Sequence, residues 1–181
     1  ELQQLCCRQL EEIQRLKRIA QKLLLLAHAD AGTLARHRTA LNLSSLVREI
    51  FEDMAGIAPE LDSRCATASD ITVNGDPTLL RQAVRNLTVN ALKYNRAGGR
   101  MTIAVDSEGG FASVTVANTG PIIPPEEFER IFERFYRRQS TGAKITEGSG
   151  LGLSLAREIA RAHGGDLCLI RSDADSNVFR L

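Results

Sequence analysis

LLRQAVRNLTVNALKYN, residues 79–95, carries two different helical faces in one segment. At about 100° per residue, Leu80, Val84, Leu87 and Ala91 share one side and read as core. Asn86, Asn90, Lys93 and Tyr94 share the neighbouring side. Gly75-Asp76-Pro77 precedes the stretch and Ala97-Gly98-Gly99 follows it, which predicts a helix over 77–95. The polar side is unusual for a plain surface helix. Amide oxygens are hard ligands suited to Mg²⁺. A lysine is a point charge suited to phosphate, and a tyrosine ring offers a flat surface to a base. For these four residues alone, a solvated helix face is the competing reading.

The chain on either side supplies a sheet. Asn42 fits an N-cap for a helix carrying Leu46, Val47, Ile50, Phe51 and Met54. Short strands are predicted at 38–42, 64–68 and 71–74. Residues 101–106 and 111–117 alternate around Glu108-Gly109-Gly110, a hairpin signal. Pro124-Pro125 opens an expected helix with an acidic start, running to 136. Leu151 to His163 reads as helical, stopped by Gly164-Gly165. Strands over 166–172 and 177–181 close the chain. In front of all this, Leu2, Cys6, Leu10, Ile13, Leu16, Ala20, Leu23 and Ala27 form one helical stripe. The expected fold class is α+β: a mostly antiparallel sheet with three helices, behind a long helical arm. The expected division is an arm over 1–32 and a domain over 38–181.

Composition excludes several functions. Lys+Arg of 23 against Asp+Glu of 22 gives +1, so no whole-chain charge favours nucleic acid. Trp is absent and aromatics are 4%, which argues against base-stacking platforms. Cys6, Cys7, Cys65 and Cys168 form no CxxC pair, so they read as reduced thiols rather than a zinc site. The longest apolar run, Leu23 to Ala27, is far too short to span a bilayer.

Two further segments carry chemistry. Val116-Ala117-Asn118-Thr119-Gly120-Pro121-Ile122-Ile123 is a strand running into a turn with one polar side chain at its end. Gly148-Ser149-Gly150-Leu151-Gly152-Leu153-Ser154 places alternate glycines before a helix, where backbone N–H groups can approach phosphate. It is neither a dinucleotide fingerprint nor a Walker loop.

Taken in order, these segments resemble the ATP-binding domain of sensor histidine kinases, in the GHKL superfamily. LLRQAVRNLTVNALKYN resembles the N box, VANTGPII the first glycine box, FERIFERFYR the F box, and GSGLGLSLAREIARAHGG the second glycine box. EEIQRLKRIAQKLLLLAHADAG, residues 11–32, is similar to the second helix of that family's dimerisation and phosphotransfer domain.

The resemblance implies a two-layer α/β sandwich of the Bergerat type, with ATP and Mg²⁺ as cofactors. Asn90 would ligate Mg²⁺, with Asn86 near the phosphates or the metal. Lys93 would contact phosphate and Tyr94 would pack on adenine. Asn118 stands where the family has Asp, and its carbonyl can accept the same bond from the adenine amino group. Gly120 matches the family glycine, whereas Ile122 replaces the second. Arg137 and Lys144 would reach phosphate from a lid, and Gly148, Gly150 and Gly152 would let that lid close. Ile123, Leu151 and Leu153 complete the nucleotide-binding set. Phe132, Phe135 and Tyr136 read as the packing foot of the lid.

The histidines are His28, His37 and His163, and none sits where the family's phosphoacceptor does. His163 falls at a helix C-terminus, where a cationic ring would suit the dipole. The expectation is therefore a fragment without a catalytic residue of its own, beginning after the acceptor helix. It would transfer the γ-phosphoryl group to a His elsewhere. The implied partners are ATP, a second kinase subunit paired through the arm, and a response regulator receiver domain, with no nucleic acid. The implied setting is the soluble cytoplasmic portion of an inner-membrane sensor. Two other readings remain: a degenerate nucleotide-binding or partner-binding module, and a hydrolysing ATPase of the same superfamily. The second needs a general-base Glu where this chain has Asn86, and an amide cannot take a proton from water.

Overall fold

The computed structural model describes residues 2–35, 37–67, 70–138 and 148–181. The elements are α1 (Leu2–Asp30), β1 (Thr39–Asn42), α2 (Leu43–Ala55), β2 (Asp62–Thr67), β3 (Thr72–Gly75), α3 (Pro77–Lys93), β4 (Arg100–Glu108), β5 (Phe111–Asn118), α4 (Gly152–Ala162), β6 (Cys168–Ser172) and β7 (Asn177–Arg180). The main sheet runs β2-β4-β5-β7-β6, and β1 pairs separately with β3. Only the β2–β4 pairing is parallel in the main sheet, so it is mostly antiparallel as expected.

Period-two alternation builds the inner face. Met101, Ile103 and Val105 of β4 are buried, as are Val114 and Val116 of β5. The register sets Val105 opposite Val114, Ile103 opposite Val116, and Met101 opposite Asn118. Asn118 therefore continues the inward row at the end of its strand. The three helices cover this face, with α3 between α2 and α4.

Caps fix where two of those helices start. Asn42 accepts from the Ser45 N–H, and Asp76 accepts from the N–H groups of Thr78 and Leu79. Leu80, Val84, Leu87 and Ala91 of α3 are buried, as the spacing requires.

His163 caps the C-terminus of α4 and acts there as a strut. Its Nδ1 donates to the Ile159 carbonyl at 2.7 Å, and its Nε2 accepts from the Asp76 N–H at 3.0 Å. The ring thus ties the end of α4 to the start of α3.

The expected helix over 124–136 is replaced by two 3₁₀ turns, Pro125–Glu127 and Arg130–Phe132. Tertiary contacts override the helical spacing. Phe132 is buried edge-on against Phe179, with ring centroids 6.5 Å apart. The chain then turns extended at Glu133 and left-handed at Phe135, whose N–H reaches the Gly150 carbonyl.

Arg157 clamps this segment to α4. It donates to both oxygens of Asp166 and to Glu129, and lies over the Phe132 ring at 4.8 Å. Its hydrogen bonds to Asp166 raise its own pKa and hold the Asp166 carboxyl below the usual range. The Arg157 side chain is only 14% exposed. Arg157→Ala should therefore cost about 2 kcal/mol, read as a lower urea midpoint at unchanged slope. An unchanged midpoint would show that Phe132 packing holds the segment alone.

The arm docks by a face other than the expected stripe. Leu26 is buried and Ile19 and Leu25 pack against the core, so only its last turns are seated. Leu2, Leu10, Ile13, Leu16 and Leu23 of the expected stripe stay exposed. Among the described residues, no helix is long and apolar enough to cross a membrane.

Candidate nucleotide site

A cavity of about 240 Å³ opens between α3, the turn after β5 and the start of α4. Helical spacing on α3 brings Asn86, Asn90, Lys93 and Tyr94 to its wall. Asn118 and Ile123 reach it from β5 and the following turn, and Gly148, Gly150, Gly152 and Leu153 from the far side. Arg137 joins them from the segment after the 3₁₀ turns. Two expected residues do not line it. Gly120 stands behind the wall, where a Cβ would sit 2.3 Å from the Tyr94 carbonyl oxygen. Leu151 is fully buried in the core and positions the helix start instead. Lys144 lies outside the described residues.

Asn118 is buried and its Nδ2 donates, at 3.4 Å, to the Tyr94 carbonyl. That contact spends the amide nitrogen on the protein and leaves the carbonyl oxygen as the acceptor for a ligand. The turn beyond it is held from β6 and β7. Asn177 donates from Nδ2 to the Pro121 carbonyl, Ser172 donates to Asn177 Oδ1, and the Ile123 N–H donates to the Ser172 hydroxyl. Tyr94, 39% exposed, is fixed from beneath by its backbone N–H bond to the Asn90 carbonyl. Lys93 Nζ sits 5.0 Å from the Tyr94 ring centre.

Alpha4 opens on the cavity differently from α2 and α3. Its N-cap is Leu151, which offers no side-chain acceptor. The first-turn N–H groups are thus available to an anion. The charge of the wall agrees. Lys22, Lys93, Arg137 and Arg138 line it, and no carboxylate does among the described residues. Such a wall suits a polyanion.

The site also fits a divalent ion held largely by phosphate. Among the described residues, no group of three or more His, Cys, Asp or Glu could hold a metal. The available protein ligands are amide oxygens. Asn86 Nδ2 is buried without a partner, while Asn86 Oδ1 accepts a 3.4 Å bond from Gln82. A half-turn of that amide would present the oxygen to an ion. Few protein ligands plus phosphate oxygens is the mode Mg²⁺ favours.

Several wall residues have no nucleotide role in the sequence reading. Pro121, Ile131, Tyr136, Arg138, Asn177 and Phe179 arrive through the turns and β7, and Lys22 arrives from the arm. Of the expected packing foot, Phe132 is buried, Tyr136 faces the cavity and Phe135 is exposed.

This architecture has known counterparts. The family described as histidine kinase-, DNA gyrase B-, and HSP90-like ATPase matches residues 75–181, and the chain belongs to it. The sensor histidine kinase CusS of Escherichia coli O6:H1 is 34% identical over 180 residues, covering 99% of this chain and 37% of CusS. The chain therefore spans little more than a third of that relative. The nucleotide-free catalytic domain of histidine kinase ThkA aligns at TM-score 0.69 and 29% identity, over 80% of this chain and 93% of that one. ThkA in complex with response regulator protein TrrA aligns at TM-score 0.72 and 25% identity, over 94% of this chain and 47% of that one.

Proposed function

We propose that residues 38–181 form the catalytic ATP-binding domain of a two-component sensor histidine kinase, with residues 1–32 as part of its dimerisation helix. The domain binds Mg–ATP and delivers the γ-phosphoryl group to a histidine outside these 181 residues. One observation carries this reading. The amides of α3, the acceptor oxygen of Asn118 and the uncapped start of α4 converge on one cavity lined by Lys22, Lys93, Arg137 and Arg138.

Each group has a task. Asn118 accepts from the adenine amino group, and Tyr94 and Ile123 flank the base. Lys93, Arg137 and the N–H groups of Gly150, Gly152 and Leu153 hold phosphate. Asn90 and Asn86 hold Mg²⁺, which neutralises phosphate charge when bound. Phosphoryl transfer needs such positioning more than covalent chemistry. Position 86 carries an amide in place of a general-base Glu, so hydrolysis is disfavoured. The bonds of His163 to Asp76 and of His28 to Thr33, and the place of His37 in the connector, support an acceptor outside these residues.

The exposed stripe of α1 would pair with a second subunit in a helix bundle. The histidine would pass its phosphoryl group to a receiver domain, in keeping with the ThkA–TrrA complex. The whole protein would sense across an inner membrane, with this portion on the cytoplasmic side.

Binding and turnover should separate in this chain. Calorimetry should detect Mg–ATP binding, whereas γ-labelled ATP should label the chain negligibly. Adding a polypeptide with the cognate acceptor helix should restore labelling, because proximity is the deficit. Absence of ATP binding would favour the partner-binding module. Steady phosphate release without any acceptor would favour the ATPase.

A further inference from the structure

The seated face of α1 follows helical spacing through Ile19, Lys22, Leu26 and Ala29. Ile19 and Leu26 pack against the core. Lys22 is the charged member of that face, half-buried, and it reaches the wall of the nucleotide cavity. It shares that wall with Asn86, Asn90, Lys93 and Gly148.

Its surroundings disfavour its own charge. Burial lowers the Lys22 pKa first, then the positive charges of Arg18 and Lys93. A cation on a docking face beside Arg18 and Lys93 weakens that docking, and a polyphosphate in the cavity would relieve it. Apolar residues would seat the arm better here. The lysine makes sense if the cavity is meant to hold a polyphosphate.

The arm is fastened at the right place to present it. Asp30, at the end of α1, accepts two hydrogen bonds from Arg134, in the segment that lines the cavity's other side. An acid at a helix C-terminus opposes the dipole, and the Arg134 bonds offset that cost and lower the Asp30 pKa.

We propose that Lys22 is a phosphate-contacting residue of the nucleotide site, so that arm and domain bind one nucleotide jointly. This rests on the reading of the cavity as an ATP site. Nucleotide binding then stabilises the seated arm, and seating the arm tightens binding, by the same factor in each direction.

The test uses the whole chain and compares Mg–ATP with adenosine by calorimetry. Lys22→Met keeps the stem and removes the charge. It should weaken Mg–ATP by about tenfold or more while leaving adenosine affinity unchanged. Lys22→Arg should retain most of the affinity. Lys17→Ala, on an exposed face of the arm, should behave as wild type. Mg–ATP should also slow hydrogen exchange over residues 19–29 in the wild type and less so in Lys22→Met. If wild type binds Mg–ATP and Lys22→Met binds it equally well, the proposal falls while the ATP-site reading stands. Equal losses of ATP and adenosine affinity would mean that Lys22 merely shapes the wall, and would also overturn it. If wild type binds no nucleotide, both readings fall.

Discussion

Asn90→Ala is expected to remove Mg²⁺-dependent ATP binding and leave the fold intact. The two faces of α3 make this separation possible. Leu80, Ala83, Val84, Leu87 and Ala91 are buried and hold the helix to the sheet. Asn90 is half-buried on the cavity side, one residue off that stripe. Its backbone carbonyl accepts from the Tyr94 N–H, a bond that alanine keeps. Alanine is also the better helix former, by up to about 0.7 kcal/mol. The empty domain should therefore match or exceed wild-type stability in urea. Binding should respond very differently. An ion held by few protein oxygens loses a large share of its protein ligation with one of them. The loss should be roughly 3 kcal/mol or more, about a hundredfold in affinity. Adenosine, which needs no ion, should bind as before. Calorimetry with and without Mg²⁺ decides the matter, and equal Mg–ATP affinity in variant and wild type would remove Asn90 from the metal site.

Much of this arrangement is legible in the residues, and the reason is local. Helical spacing in 77–95 separates a core face from a polar one without help from the rest of the chain. The Gly109-Gly110 turn, with both residues at positive φ, announces its hairpin. Asn42 and Asp76 cap the helices they precede. Asn118 can be placed on the inner face once the hairpin register is known, because 114, 116 and 118 share parity.

What escapes the sequence is long-range. Residues 128, 131, 132 and 135 have helical spacing, but a three-residue step also fits 3₁₀ turns. Phe179, Arg157 and Gly150, all distant in sequence, choose between them. Asn177 and Ser172 look like ordinary polar residues of a closing hairpin, yet they hold the turn beside the cavity. The face by which the arm docks is hidden for a related reason. Its strongest apolar stripe is exposed on this chain, and a weaker face containing Lys22 docks instead. Amphipathicity identifies a face that wants burial but not what buries it.

The alternate glycines should give three different outcomes when each is changed to alanine, and Gly150 the largest. Gly150 has φ +69, a conformation that costs an L-residue about 1–2 kcal/mol. A Cβ there would also meet the Phe135 backbone at 2.7 Å, and backbone cannot swing aside as a side-chain tip can. The Phe135 N–H bond to the Gly150 carbonyl would have to open. Together these should cost about 3 kcal/mol or more, and the cavity wall from 131 to 138 should loosen with it. Gly148→Ala meets only the end of the Lys93 side chain, with Nζ nearest at 2.6 Å. That flexible tip can move, so stability should barely change while phosphate affinity falls. Gly152→Ala meets nothing within 4 Å and begins a helix, so it should keep or slightly raise stability. Its methyl group would still intrude where Gly152 lines the cavity, and Mg–ATP should bind more weakly. Urea midpoints and ATP affinities, measured together, separate the three. Gly150→Ala with wild-type stability would mean that the Phe135 contact is not what shapes the wall. Gly152→Ala with wild-type affinity would mean that phosphate does not approach the start of α4.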